Sequence, residues 1–568
     1  MKHLHSAFLI ASIFVATSLN GQSPKAQRFV LLEQFTSSTC GPCASANPTI
    51  IQRLQQNPDK FTAIFYHVGW PSPGNDPMYL HNTADNNARV SYYSVNSVPR
   101  SVIDGNYYIG SPGGWSMTTI NNRYAMPSPC EINLQHYLNA AQDSIFLVML
   151  IKATENMTGS SLVAHNVVIE KLVQFPTPPG TNGEKDFHNV MKKLLPTAGG
   201  TALPANLGPG DYLLLENSWK LANVYNNNQL AAIGFIQNNT NKEVLQTANS
   251  STNPVTPLYA NDAQLMGITE VAPQNCQGFV TPTIKVRNNG SNPMTSLKIK
   301  YKVNDGELQA HNWSGNTGLL SVATIALPAY NFAVEAQNTL QIFIDKINTV
   351  NDEYPKNDTM TFEIKSAKVA TPELKLWIKT DNKPEETTWK ILDDNDNIVA
   401  GGGPYTQANT LIKEDIVLPG GKCYRFFILD AGGDGVCCGN GLGFYTFFYG
   451  NNNVISEGTN FGSKAMAQFA TESGVGITTA EVFRHAMRIS PNPAGNEANL
   501  HFSIPASGKP ILLIYNLAGQ QLSSLELGHY EAGSHISIFS TQSLPAGLYV
   551  AELITPDGHH VRYKFSKK

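Results

Sequence analysis

From residue 130 onward, short runs of Val, Ile, Leu, Phe and Tyr alternate with clusters of Asn, Gly, Asp and Pro. Runs such as 145–151, 162–170, 212–215 and 231–237 are short and rich in β-branched and aromatic residues, the pattern of strands rather than helices. Asn288-Asn289-Gly290 precedes a run at 297–303 that ends in Asn304-Asp305-Gly306, a turn sequence that predicts a hairpin. Regular strand and turn spacing of this kind predicts β-sandwiches. The chain has 568 residues, enough for about four domains at roughly 150 residues each. Hydrophobic residues make up 42%, so several cores can form, while charged residues are only 14%. Lys and Arg number 39 against 43 Asp and Glu, for a net charge of −4. That balance argues against a nucleic-acid partner or a polybasic membrane surface.

The first 128 residues read differently. Lys2 precedes an apolar run at 7–16 and small residues up to Gly21. The run is shorter than the roughly 20 residues that span a bilayer, so it reads as a signal peptide over 1–21, cleaved before Gln22. A strand follows at 29–35, a helix to about 56, a strand at 61–67, a polar helix to about 93, short strands at 101–103 and 107–109, and a helix at 115–124. This order, β-α-β-α-β-β-α, predicts a compact α/β domain over 22–128. Its chemical feature is Cys40-Gly41-Pro42-Cys43, between a strand and a helix. At a helix N-terminus, unpaired N–H groups and the dipole stabilise a thiolate at Cys40, and Cys43 is placed to resolve a mixed disulfide. A permanent structural disulfide is the competing reading. A zinc site is discounted because no second ligand pair occurs. His67, Trp70, Asp76 and His81 flank the loop after the second strand; they are candidates to line a substrate groove, with solvated loop groups the preferred reading.

The motif resembles thioredoxin, with Phe35 five positions before the first cysteine and Val98-Pro99 where that family places a cis-proline facing the dithiol. The resemblance implies Cys40, Cys43 and Pro99 as the catalytic set. Two departures stand out: Gln34 replaces the family's buried acid, and Thr39 replaces its Trp. Glu33 lies one residue off, on the opposite face of the strand. Residues 31–246 also resemble a Bacteroidetes outer-membrane-protein family of twenty-eight kilodaltons, in which a thioredoxin-like module precedes a β-sandwich. The matching residues are 33–36, the CGPC motif, Val98-Pro99, Ile103-Asp104-Gly105 and 232–237.

Residues 486–568 resemble the C-terminal sorting domain of the type IX secretion system, through Ile489-Ser490-Pro491-Asn492-Pro493, the segments 514–519 and 544–549, and Lys567-Lys568. The resemblance implies the secretion machinery as a partner, removal of this domain near 471–488, and release or attachment to surface lipopolysaccharide. Between these ends, a β-sandwich is expected over 129–250, an Ig-like sandwich over 258–367, and a further sandwich over 368–470 with a Cys-rich Asp/Gly loop. The fold class is thus an N-terminal α/β thioredoxin-like domain followed by four β-sandwich domains, Ig-like or jelly-roll-like. Within the loop at 430–438, Asp430, Asp434 and Asn440 are candidate calcium ligands. The spacing lacks the third acidic ligand and terminal Glu of an EF-hand, so a Gly-rich turn is the preferred reading. Cys423 is expected to bridge to Cys437 or Cys438, with Cys130 and Cys276 unassigned.

Two functions remain open from sequence. One is a secreted surface thiol–disulfide oxidoreductase acting on protein disulfides or dithiols, with no cofactor beyond the weak calcium candidate. The other is a non-catalytic surface binding protein or adhesin that uses the α/β module as a scaffold.

Overall fold

The computed structural model describes residues 25–159, 161–472, 487–504 and 506–568. The expected signal peptide (1–21) and most of the expected cleavage region (471–488) lie outside the described residues. The chain divides into two compact units, one up to Pro257 and one from Leu258 to Lys568. The first is built around one large β-sheet with smaller ones, and the second consists of small β-sheets, in keeping with multiple β-sandwiches.

In the first unit, β1 (Val30–Thr36) leads into α1 (Gly41–Gln56), followed by β2 (Phe61–His67), α2 (Pro77–His81), α3 (Thr83–Tyr93), β3 (Arg100–Ile103), β4 (Tyr108–Gly110) and α4 (Met117–Tyr124). β1 runs parallel to β2 and antiparallel to β3, which pairs antiparallel with β4. Every residue of β1 and β2 is buried, as expected for adjacent parallel strands covered on both faces. Val30 and Leu32 share a core with Ile50 of α1 and Ile120 of α4. Leu31 and Phe35 pack on the other face with Ile64, Tyr66 and Tyr93. The polar stretch read as one helix is two, because the Asn82 side chain accepts from the Asp85 amide and caps a new start.

The expected boundary at 128/129 does not interrupt the sheet. Strand Asp186–Leu195 pairs with β2 at Phe65 and Val190. One nine-stranded sheet therefore runs Val244–Asn249, Leu230–Asn238, Leu162–Gln174, Asp186–Leu195, β2, β1, β3, β4, with Thr201–Ala202 pairing off the third strand. Val167, Met191, Leu194 and Phe235 join the core of Leu31 and Phe35. The α/β part would otherwise leave the edge of β2 unpaired, and the following strands cover it. A second sheet, Cys130–Leu138, Ser144–Ala153 and Tyr212–Lys220, closes a separate core around Leu134, Met149 and Ile151.

Among the described residues, the second unit holds three pairs of facing sheets and a small two-stranded one, Phe279–Val280 with Tyr330–Asn331. Ala263–Thr269, Thr283–Asn288 and Val322–Ala326 face a five-stranded sheet centred on Gln337–Ile347, across a core that includes Ile284, Ile299 and Ile342. The next pair centres on Cys423–Asp430 and Glu373–Lys379, with an aromatic core in which Phe426 stacks on Phe447 at 4.4 Å. The last pair, within 487–568, encloses Leu500, Phe502, Ala551 and Phe565.

Candidate functional site

Cys40 occupies the N-cap of α1, and its sulfur accepts from the Cys43 amide at 3.2 Å. Pro42 falls in the first turn, where no intrahelical donor is needed. The two cysteines form a disulfide with Cα atoms 5.2 Å apart. Pro99, preceded by a cis peptide bond, leads directly into β3 beside β1. Both sulfur-bearing residues are buried, Cys40 at 1% and Cys43 at 0% exposure.

Two loops hold the backbone that leads into the disulfide. On one side, the Ser38 amide donates to Asp76 at 2.7 Å and the Thr39 hydroxyl to the Pro71 carbonyl at 2.8 Å. On the other lies the irregular segment 175–185, between strands Leu162–Gln174 and Asp186–Leu195. Its Asn182 amide donates to the Ser38 carbonyl at 3.1 Å. The Asn182 side chain donates to the carbonyls of Ser37 (3.1 Å) and Cys40 (3.3 Å). Sequence reasoning missed this segment because it is about 140 residues away along the chain and carries no motif.

The family's acid position, Gln34, accepts instead from the Ser101 hydroxyl at 2.6 Å. Glu33 points to the opposite face, as strand alternation requires, and its carboxylate grips Arg89 at 2.6–2.9 Å and the Tyr93 hydroxyl at 2.6 Å. Burial works to lower the pKa of Arg89, but the Glu33 charge outweighs it and raises it. The acid nearer the helix is Glu184, which accepts from Asn47 at 2.8 Å and from Asn182 at 2.5 Å. Burial raises its pKa against those hydrogen bonds. Asn47 lies one turn beyond Cys43 on α1.

The expectation that His67 and Asp76 are solvated is corrected: their side chains are 1% and 0% exposed. His67 Nδ1 meets Asp76 Oδ2 at 2.7 Å, while Asp76 Oδ1 accepts from the Met78 and Tyr79 amides and so caps α2. Burial raises the Asp76 pKa, but His67 and the Ser38 and Tyr79 amides outweigh it and lower it overall. A carboxylate with that many donors is better satisfied inside than in a mobile loop. His67, Asn47, Thr36 and Glu184 line a cavity of about 10 Å³, the room of one water. His67 Nε2 and Asn47 Oδ1 have no protein partner, so a water there would complete them. His81 stacks on Tyr225, and Trp70 packs against the core of Phe35.

The expected Cys423 pairing is also corrected. Cys423 bridges to Cys276, and Cys437 bridges to its neighbour Cys438. Cys423 opens its strand opposite Ala470, beside Gln468, whose side chain also accepts from the Cys276 amide at 3.0 Å. The fold thus brings Cys423 to Cys276, far away in sequence, and leaves the adjacent pair to each other. Cys130 is a free, buried thiol, pushed up to about 12 by burial.

Asp430 and Asp434 do converge, and Glu386 joins them, with carboxylate oxygens within 4.8 Å of one another. Asp430 Oδ2, however, accepts from the amides of Gly433, Asp434 and Gly435, and Asn440 donates to Asp434 at 3.1 Å. These bonds are those of a Gly-rich turn closed by its own aspartates.

No protein-family model and no curated protein matches the chain. Among solved structures, the chain is similar to HBP35 of Porphyromonas gingivalis at 14% identity and a TM-score of 0.34, covering 60% of this chain and 98% of that one. It is similar to the CARDB domain of PF1109 from Pyrococcus furiosus at 20% identity and a TM-score of 0.17, over 20% of this chain and 95% of that one. A third similarity, to PorU from Porphyromonas gingivalis, has 10% identity and a TM-score of 0.14 over 85% of this chain and 37% of that one. Likenesses this weak assign neither fold nor function. Among the described residues, no helix is long and apolar enough to cross a membrane.

Proposed function

We propose that this chain is an exported, non-catalytic surface binding protein, and that the Cys40–Cys43 disulfide serves its first unit as a structural staple. The observation that carries this reading is the burial of both cysteines, at 1% and 0% exposure. Thiol–disulfide exchange requires an attacking thiolate to reach a sulfur, and a covered sulfur is inert to it. The sorting-domain resemblance of 486–568 supports export by type IX secretion and attachment to surface lipopolysaccharide. The test is an insulin-reduction assay on the mature chain together with alkylation and mass mapping at the glutathione poise of the cell exterior. The expected result is no turnover and a 40–43 pair that stays oxidised. Turnover that Cys40→Ser abolishes would overturn the staple.

A second reading, a thiol–disulfide oxidoreductase on a thioredoxin-like domain over 22–128, is favoured by one observation. Cys40 sits at the N-cap of α1 with its sulfur bonded to the Cys43 amide, the environment that stabilises a thiolate once the disulfide opens. The strand order β2-β1-β3-β4 supports the same reading. Calcium at Asp430, Asp434 and Asn440 belongs with neither reading; an unchanged melting temperature on adding chelator would discard it.

A further inference from the structure

Segment 175–185 closes on itself at the neck, where the Phe175 amide donates to the Lys185 carbonyl at 2.9 Å and Gln174 to Asp186 at 3.1 Å. Beyond the neck it has no regular structure, and Thr177, Pro178, Thr181 and Gly183 are exposed. Its inner side lies along the residues that precede the disulfide. Asn182 reaches the carbonyls of Ser37, Ser38 and Cys40. The Thr181 hydroxyl lies 3.5 Å from the Thr39 carbonyl. Gly180 sits so close that a Cβ there would lie 2.1 Å from the Ser38 carbonyl oxygen. The flanking strands are held in the nine-stranded sheet, whereas the segment is held by these bonds, by Asn47 donating to Glu184, and by Phe175 packed at the neck on Phe187 and Tyr225. Local opening draws on such sparsely bonded segments.

We propose that residues 175–185 form a strap whose closure keeps thiols from the Cys40–Cys43 disulfide, with Asn182 as its latch. The proposal rests on the staple reading and names what makes the staple inert. With the strap open, a thiolate of a dithiol reductant attacks Cys40 Sγ. A reductant–Cys40 bond forms as the Cys40–Cys43 bond breaks, and Cys43 leaves as a thiolate. The reductant's second thiolate then displaces Cys40, so the protein gains two thiols and the reductant becomes the cyclic disulfide.

The experiment measures the rate at which dithiothreitol reduces each disulfide of the full mature chain, by acid quench, alkylation and peptide mass mapping. Asn182→Ala removes the latch, and Gly180→Ala wedges the strap by a different contact. Cys276–Cys423, in the other unit, controls for the reagent within the same molecules, and the urea midpoint of the first unit reports general loosening around the 40–43 pair. Each variant should speed reduction of the 40–43 pair by about tenfold or more, the factor that losing a net hydrogen bond or two places on a local opening equilibrium. The 276–423 rate should stay as in the parent protein. A parent and variants that resist equally would overturn the strap and leave the staple standing. A parent reduced as fast as both variants would overturn strap and staple together. Variants that speed both disulfides alike, or whose gain is matched by the fall in the first unit's urea midpoint, would also overturn the strap, since the gain would not come from local opening of 175–185.

Discussion

Glu33 and Gln34 are neighbours with opposite fates. On a strand buried on both sides, Glu33 faces α3 and Gln34 faces α1 and α4, so only Glu33 meets Arg89. Glu33→Gln would leave a guanidinium buried without its counter-charge, and should cost about 3–5 kcal/mol in urea unfolding of the first unit. Arg89→Met made together with it should recover much of that loss, since the charge is then removed as well. In the second unit, Asp358 is buried, and no donor reaches its Oδ1. Burial first, then the charges of Asp352 and Asp262, raise its pKa to about 8 from the usual 3.8. The folded form therefore holds a proton that the unfolded chain releases. The penalty is absent below the unfolded value, grows as pH rises between the two, and is complete above the folded one. Asp358→Asn should raise the melting temperature at a pH of about 9 by a few degrees and leave it unchanged at about 3.5. An equal shift at both would remove the titration as its cause.

At the scale of elements, the strand read over 61–67 is β2, and Cys40 does stand where β1 hands over to α1. These were legible because apolar runs, a CxxC motif and a proline in a first helical turn are local signals. The strap was not. Its three prolines and two glycines carry no signal beyond that of a loop, and its proposed role comes from its bonds to the backbone of Ser37, Ser38 and Cys40. The pairing of Asp186–Leu195 with β2 was equally hidden, because an apolar strand carries no mark of which edge it will cover. Glu386 escaped notice beside Asp430 and Asp434 for the same reason: it lies in the turn Pro384–Glu386, far in sequence from the loop that follows strand Cys423–Asp430, and only the fold brings the two together.

At the scale of the whole molecule, Cys276–Cys423 joins two successive sandwiches of the second unit across 147 residues. Closing a loop of that length restricts the unfolded chain by about 5 kcal/mol in the chain-entropy account. Replacing both cysteines by serine should lower the stability of the second unit by up to that amount, read from its guanidinium midpoint. An unchanged midpoint would mean that the sandwiches hold without it. The sequence by itself determined the β-rich texture, the places of most strands and the cysteine motif at the head of a helix, because each is written in adjacent residues. Only the tertiary structure decided which cysteines pair, which carboxylate faces which cation, that one sheet crosses the expected 128/129 boundary, and that a distant loop is bonded to the backbone leading into the 40–43 disulfide. Those are contacts between segments far apart in the chain, selected by burial and hydrogen-bond satisfaction over the whole fold, and no local pattern encodes them.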